Sequence, residues 1–270
     1  MRDTFYEAGW LAEIGSTCAP PIRWHRRPRR WVNEIRRRGA SGGVSRRASL
    51  FSYACNRCRL CCYGKGIRVN PYEVLRLARR RGISTTEFLK HYTGNGGIEL
   101  ARTADEACVF LGPEACTVHP DRPLVCRLYP LGRRVSQDDE VFFELTPHPE
   151  TKGVYGKGAT VQDFLEAQGA EPFIDAARRY AELRQRLAAT LPAAFAAAPE
   201  LEAEARATAE SYQDGGDPGV PELLDIDAMV RQHCLRHKVK MPRDVKRLMG
   251  FHIMAVEEFV ESLSEKGRGA

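Results

Sequence analysis

The sequence predicts an α+β fold, mostly α: a small metal-organised cysteine-cluster domain with short helices and strands, followed by a helical C-terminal region. Three observations lead to this. Seven of the nine cysteines lie between positions 55 and 126. Around and between them, short amphipathic stretches alternate with brief β-branched and aromatic runs. Beyond position 158 the apolar residues recur every 3.6 positions, the period of helices that bury one face. With 270 residues, the chain is long enough to build a conventional core.

Taken in order, residues 1–50 read as a basic arm expected to lack order. They hold eleven arginines against Asp3, Glu7, Glu13 and Glu34, and no lysine. Mutual repulsion with few apolar groups cannot offset the entropy lost on ordering. This segment carries +7 of a formal net charge of +6, so the remaining 220 residues are close to neutral. Any nucleic-acid contact would therefore come through the arm, where Trp10, Trp24 and Trp31 could stack beside the arginines.

Residues 51–158 read as the cysteine-cluster domain. Asn70-Pro71 opens a helix, Pro71 to Arg81, with Val74, Leu75, Leu77 and Ala78 expected on one face and Gly82 as its stop. Ser84-Thr-Thr-Glu87 is a capping box for a second helix running to His91. Residues 97–111 and 140–146 have strand-like composition. Gly153 to Thr160 imitates part of a phosphate loop but lacks the Gly-Lys-Ser/Thr ending, and reads as a glycine-rich linker.

The helical remainder divides into a segment 159–212, a linker 213–221 and a helical pair 222–270. Thr160 to Asp163 forms an N-terminal cap. Residues 176–191 keep a helical rhythm, and Pro192 opens a looser Ala/Glu stretch. Asp214-Gly-Gly-Asp-Pro-Gly-Val-Pro221 is the linker, and helices follow over 223–237 and 244–263.

The chemistry lies in Cys55-Asn-Arg-Cys58-Arg-Leu-Cys61-Cys62, followed by Cys108, Cys116 and Cys126. Two-residue gaps let a loop turn successive sulfurs toward one soft metal centre. Four ligands saturate one zinc, and four thiolates hold one iron–sulfur cubane. Seven cysteines, with His119 close by, exceed the needs of one site of either kind. If the backbone is extended there, Cys61 and Cys62 point apart and serve different centres. Arg122 and Arg127 are positioned to support the sulfurs from the shell behind them, and the prolines at 120, 123 and 130 stiffen the intervening loop.

The remaining candidates are ordinary. His91, His233, His237 and His252 read as helix residues without partners, and Cys18 and Cys234 as inert thiols. There is no Ser–His–Asp signature, no pair of catalytic carboxylates and no dinucleotide-binding glycine pattern. No apolar stretch is long enough to span a membrane. The opening residues do not resemble a secretory signal, so reduced thiols in the cytoplasm are the expectation.

The joint pattern, Cys-x-x-Cys-x-x-Cys-Cys, then Cys-x-x-His, then Arg-Pro-x-x-Cys-Arg-x-Tyr-Pro, resembles the YkgJ-type cysteine-cluster family, described as zinc- or iron-chelating and often labelled iron–sulfur proteins. A similar cluster occurs in flagellin lysine N-methylases. The likeness covers about residues 51–158. It implies Cys55, Cys58, Cys61, Cys62, Cys108, Cys116 and Cys126 as metal ligands, with His119 as a further candidate. Where the family often has a cysteine ahead of a Pro-Gly pair, this chain reads Pro147-His148-Pro149, which makes His148 the candidate substitute. The expected function is binding of an iron–sulfur cluster or zinc, with a redox or electron-transfer role and an unspecified redox or protein partner. The alternatives are a methyltransferase-like enzyme with an accessory cluster, and a structural zinc module for protein or RNA contact.

Overall fold

A computed structural model describes residues 44–136, 139–148, 150–197 and 222–266. All lie within the compact unit formed by residues 38–270. The expected linker 213–221, the rest of the segment from 198, and arm residues 1–43, Cys18 included, fall outside the described residues.

The helix signals read from sequence are the ones the backbone uses. Helix α1, Pro71–Arg81, starts at Asn70, whose side chain accepts the Glu73 N–H while the Glu73 carboxylate accepts the Asn70 N–H. Gly82 stops it at φ 71°, a left-handed conformation that suits a residue without Cβ. Helix α2, Thr85–Tyr92, starts from the Ser84/Glu87 capping box. The short α3 spans Leu124–Leu128, α4 spans Val161–Ala167 from a Thr160/Asp163 capping box, and α5 spans Glu171–Ala197. Thus α5 begins five residues before the expected 176 and runs through Pro192, where alanine-rich flanks favour the helix. Helices α6, Ile226–His237, and α7, Val245–Lys266, complete the pair expected at the C-terminal end.

Strands among the described residues form antiparallel pairs only. Strand β1, Leu50–Ala54, pairs with β6, Val154–Thr160, with Tyr53 opposite Tyr155. The stretch read as a glycine-rich linker is therefore a strand. Its glycines serve close approach: a Cβ on Gly153 would fall 2.2 Å from the Tyr53 hydroxyl oxygen, and one on Gly156 would fall 2.8 Å from Ser52 Oγ. Strands β4, Leu131–Val135, and β5, Glu140–Glu144, pair with Gly132 opposite Phe143. The two-residue strands β2, Thr93–Gly94, and β3, Glu99–Leu100, also pair. In 97–111, where short strands were expected, the extended pairing is that of β3 and a few isolated bridges. That region is instead consumed by turns around Cys108.

Part of the stretch assigned to the arm belongs to the fold. Ser45 exchanges backbone hydrogen bonds with Phe142, while Arg47 bonds Glu140, Gln162 and Glu171.

Helix α1 sits at the centre of the packing. Tyr72 joins the largest core, with Phe51, Leu128, Phe142, Phe164, Phe173, Tyr180 and Met249. Val74, Leu77 and Ala78 join a second core with Phe88, Leu100, Phe110 and Val118. Leu75 joins a third, with Ile226, Val230, Cys234 and Leu248. The helix is therefore covered on several sides and not on the single face its spacing suggested. Cys234 is a buried thiol of this third core.

Candidate metal centre

Strand β1 delivers the chain to Cys55, and two left-handed residues then coil the cysteine loop. Arg57 (φ 51°) lies between Cys55 and Cys58, and Arg59 (φ 66°) between Cys58 and Cys61. Non-glycine residues take this conformation at a cost, so the surrounding contacts must hold it. Leu60–Cys62 then forms a single 3₁₀ turn. Because that backbone is helical and not extended, Cys61 and Cys62 do not point apart as expected: their sulfurs are 3.9 Å apart. Two thiolates on one tetrahedral zinc, each bonded at about 2.3 Å, stand about 3.8 Å from each other.

The second stretch of cysteines is fastened to the first through backbone. The Cys108 N–H donates to the Cys62 carbonyl at 2.9 Å, and the Gly64 N–H donates to the Glu106 carbonyl at 2.9 Å. A bridge between Leu111 and Cys116 turns the chain back. Cys126 lies in the first turn of α3, and that helix is anchored to α1 through one carboxylate: Glu73 Oε1 accepts the Leu124 N–H at 2.7 Å while its other oxygen caps α1. Cys108, Cys116 and Cys126 all pack against the second core, near the stacked rings of Phe88, Tyr92 and Phe110.

A repeated motif supports four of the sulfurs. The Arg57 N–H reaches Cys55 Sγ at 3.4 Å, and at Cys58, Cys108 and Cys116 the amide two positions on, of Leu60, Phe110 and Val118 respectively, pulls the thiol down against burial. Amide donors aimed at sulfur stabilise the thiolate, the form that binds metal. At Cys58, burial pushes the thiol up, but N–H groups of Lys152 and Leu60 and the Thr151 hydroxyl hold it below its usual range.

Electrostatics couple six of the sulfurs to one another, and Cys55 acts with them on Tyr53 and Arg122. Burial pushes Cys126 well above the usual thiol range, and Cys108, Cys61, Cys116 and the Glu73 carboxylate push it further. Burial raises Cys108 and Cys116 as well, with Cys61 acting on both. In the adjacent pair, Cys61 is lowered by the hydrogen bond from Cys62 and by Lys65, while Cys62 is raised by the same hydrogen bond. Burial raises Tyr53, and Cys55, Cys61 and Cys58 act on it in the same direction.

Arg122 bonds the His119 carbonyl and the Gln168 side chain, and feels the charges of Cys126, Cys116 and Cys55. Its guanidinium also sits 3.2 Å from His119 Nδ1. Burial lowers His119, and Arg122, Arg57 and Arg127 lower it further, favouring the neutral ring that ligates metals. Arg127 has a different post. Only 5% exposed, it donates to the carbonyls of Pro120, Arg122 and Gln168 and lies 3.9 Å from the Phe173 ring centre. It fastens the loop between Cys116 and Cys126 to α4 and α5 and gives no hydrogen bond to a sulfur. His148 Nδ1 accepts the Glu150 N–H at 3.1 Å.

Two features of the site were not read from sequence. Lys65, three residues past the adjacent cysteines, is a cation coupled to the network: burial lowers it, while Cys61, Cys126 and Cys62 raise it, and Nζ stands 3.8 Å from the Tyr129 ring centre. Tyr129 meets Tyr53, which meets Tyr155, in edge-on contacts, so aromatic rings wall one side. A lysine near a cysteine run is a visible signal, but only the folded chain brings the tyrosines to it.

Residues 54–146 match the family model described as "CxxCxxCC: Putative zinc- or iron-chelating domain". The match covers 93 of the 270 residues. No curated protein matches the chain, and no solved structure matches it. The match runs from the end of β1 to just past β5, and the family it names is described as chelating zinc or iron. The donor set fits such an ion: seven thiols, six of them electrostatically coupled, an amide donor on Cys55 Sγ, and a lysine and an arginine that offset the gathered negative charge. Among the described residues, no helix is long and apolar enough to cross a membrane.

Proposed function

We propose that the CxxCxxCC domain assembles an iron–sulfur cluster, with Cys55, Cys58, Cys61, Cys62, Cys108, Cys116 and Cys126 supplying its ligands and with electron transfer as its use. The observation that carries this reading is the convergence of seven cysteines from two separate stretches of chain, fastened where the Cys108 N–H donates to the Cys62 carbonyl at 2.9 Å, in a number beyond what one zinc requires. An amide donor such as the Arg57 N–H on Cys55 Sγ is a recognised means of tuning the potential of iron–sulfur centres. Among the described residues, no three cysteine sulfurs lie within 4.8 Å of one another.

When bound, a cluster supplies one-electron chemistry; the protein's own residues position and insulate it. Lys65 and Arg122 balance charge, the ring wall of Tyr53, Tyr129 and Tyr155 limits water on one side, and Arg127 holds the loop that carries Cys116 to Cys126. His119 and His148 are the remaining candidates for any position the cysteines leave. A zinc centre is the second reading, favoured by the single-ion spacing of Cys61 and Cys62.

One experiment separates the two. The full chain is purified without oxygen and assayed for iron, acid-labile sulfide and zinc. Matching iron and sulfide, with a brown colour bleached by dithionite, is the expected result. Zinc without sulfide would replace the cluster with the second reading. Cys61→Ser and Cys126→Ser should each lose most of the metal while Cys234→Ser keeps it. A Cys126→Ser protein with full metal and unchanged melting would remove Cys126 from the ligand set.

A further inference from the structure

Helices α6 and α7 bring two histidines and a carboxylate to one point, on residues that the cysteine network does not use. His233 and His237 are four residues apart on α6, which places them one turn apart on the same side. Their ring centres are 4.5 Å apart. Across from them, one oxygen of Glu258 on α7 meets both rings: Oε2 lies 3.0 Å from His233 Nδ1 and 3.0 Å from His237 Nε2. The three atoms lie within 4.8 Å of one another.

Those separations are close to what a metal ion requires. Nitrogen and oxygen donors bonded to tetrahedral zinc at about 2.0–2.2 Å stand about 3.3 Å from each other. Opening each 3.0 Å contact by a few tenths of an ångström would admit the ion. The side chains are also held to different degrees. His233 is 5% exposed and meets the edge of the Phe251 ring, so one donor is fixed in the packed interior. Glu258 and His237 have side-chain exposures of 31% and 44%, leaving an open side for the ion and for a water or other small donor.

The plain alternative is a carboxylate paired with histidines and nothing more. An exposed ion pair contributes little to stability, and one histidine would suffice for it. Here two rings converge on a single oxygen, the arrangement that two nitrogen ligands and a carboxylate need. Arg236 competes weakly, with NH1 3.8 Å from the same oxygen, but its side chain is 56% exposed and can turn toward solvent.

We propose that His233 Nδ1, His237 Nε2 and Glu258 Oε2 form a second metal site, for a divalent transition ion of the zinc class, chemically distinct from the sulfur centre. Two imidazoles and a carboxylate suit zinc, nickel or copper, and three protein ligands leave a position for an exchangeable donor. Binding requires both ligating nitrogens to be free of protons.

The test adds Zn²⁺ alone to the full chain, with its sulfur centre as purified, and counts zinc gained after desalting. The wild-type chain should gain one equivalent per chain more than His237→Gln or Glu258→Gln. Equal gains would overturn the proposal. A second measurement needs no variant: acylation of half-exposed His237 by diethyl pyrocarbonate, followed by peptide mass spectrometry, should slow several-fold when Zn²⁺ is present. An unchanged rate would equally refute the site. Cys61→Ser should lose its sulfur-bound metal yet keep this zinc gain, so failure of the cluster reading and failure of this one are distinguishable.

Discussion

Lys65 shows how one side chain makes a dense group of thiols tolerable. Several thiolates in a partly buried loop repel one another, and a nearby cation offsets that cost most where water is scarce. Replacing Lys65 with Met keeps the stem that packs on Tyr129 but removes the charge. Bound metal in Lys65→Met should be lost to a chelator several-fold faster than in the wild type, while Lys65→Arg should stay close to it. Equal loss rates for the wild type and Lys65→Met would show that the ammonium does not support the centre. Gly153 is set by a different residue-scale constraint. An added Cβ would overlap the Tyr53 ring, so Gly153→Ala should displace that ring and lower the melting temperature by several degrees, a cost of about 1–3 kcal/mol.

Among the elements, the junction of α2 with α6 is held by polar groups inside the protein. Asp227, 5% exposed, accepts the Thr85 N–H at 2.9 Å and both terminal nitrogens of Arg79 at 2.6 and 3.2 Å. Asp225 accepts the Thr85 hydroxyl at 2.5 Å and caps α6 through the Ala228 N–H. Arg79 is half-exposed and can be rehydrated, so the main loss in Asp227→Ala is the stranded Thr85 amide. The expected destabilisation is about 2 kcal/mol, read as a lowered urea midpoint. Metal content per folded chain should be unchanged, because this junction lies outside the cysteine loops. A midpoint within error of the wild type would mean that water satisfies the amide.

For the molecule as a whole, pH dependence is expected from the α5–α7 interface. Tyr180 on α5 and His252 Nδ1 on α7 are hydrogen-bonded at 3.0 Å in the interior. Burial lowers the His252 imidazole to about 4, against about 6.5 in an unfolded chain. Between those values the unfolded chain binds the extra proton. Stability is therefore full above about pH 6.5 and declines as pH falls toward 4, by up to about 3 kcal/mol. His252→Phe removes that slope, so its denaturant midpoint should vary less than the wild type's over this window. Parallel curves for the two proteins would place the acid sensitivity elsewhere.

The sequence by itself determined the local events. Asn70, Ser84 and Thr160 start helices because their side chains cap nearby amides, and Gly82 ends one because it takes a positive φ without strain. The two-residue cysteine gaps and the family pattern announced metal chelation for the same reason: they depend on neighbours along the chain. What only the tertiary structure decided depends on residues far apart in sequence. The 3₁₀ turn that brings Cys61 and Cys62 together, the pairing that makes a strand of Gly-rich 154–160, and the commitment of Arg127 to carbonyls of two other segments each follow from contacts that spacing does not encode. His233 and His237 read as ordinary helix residues until α7 packed against α6 and set Glu258 between them, because a ligand set drawn from two helices has no signature in either one.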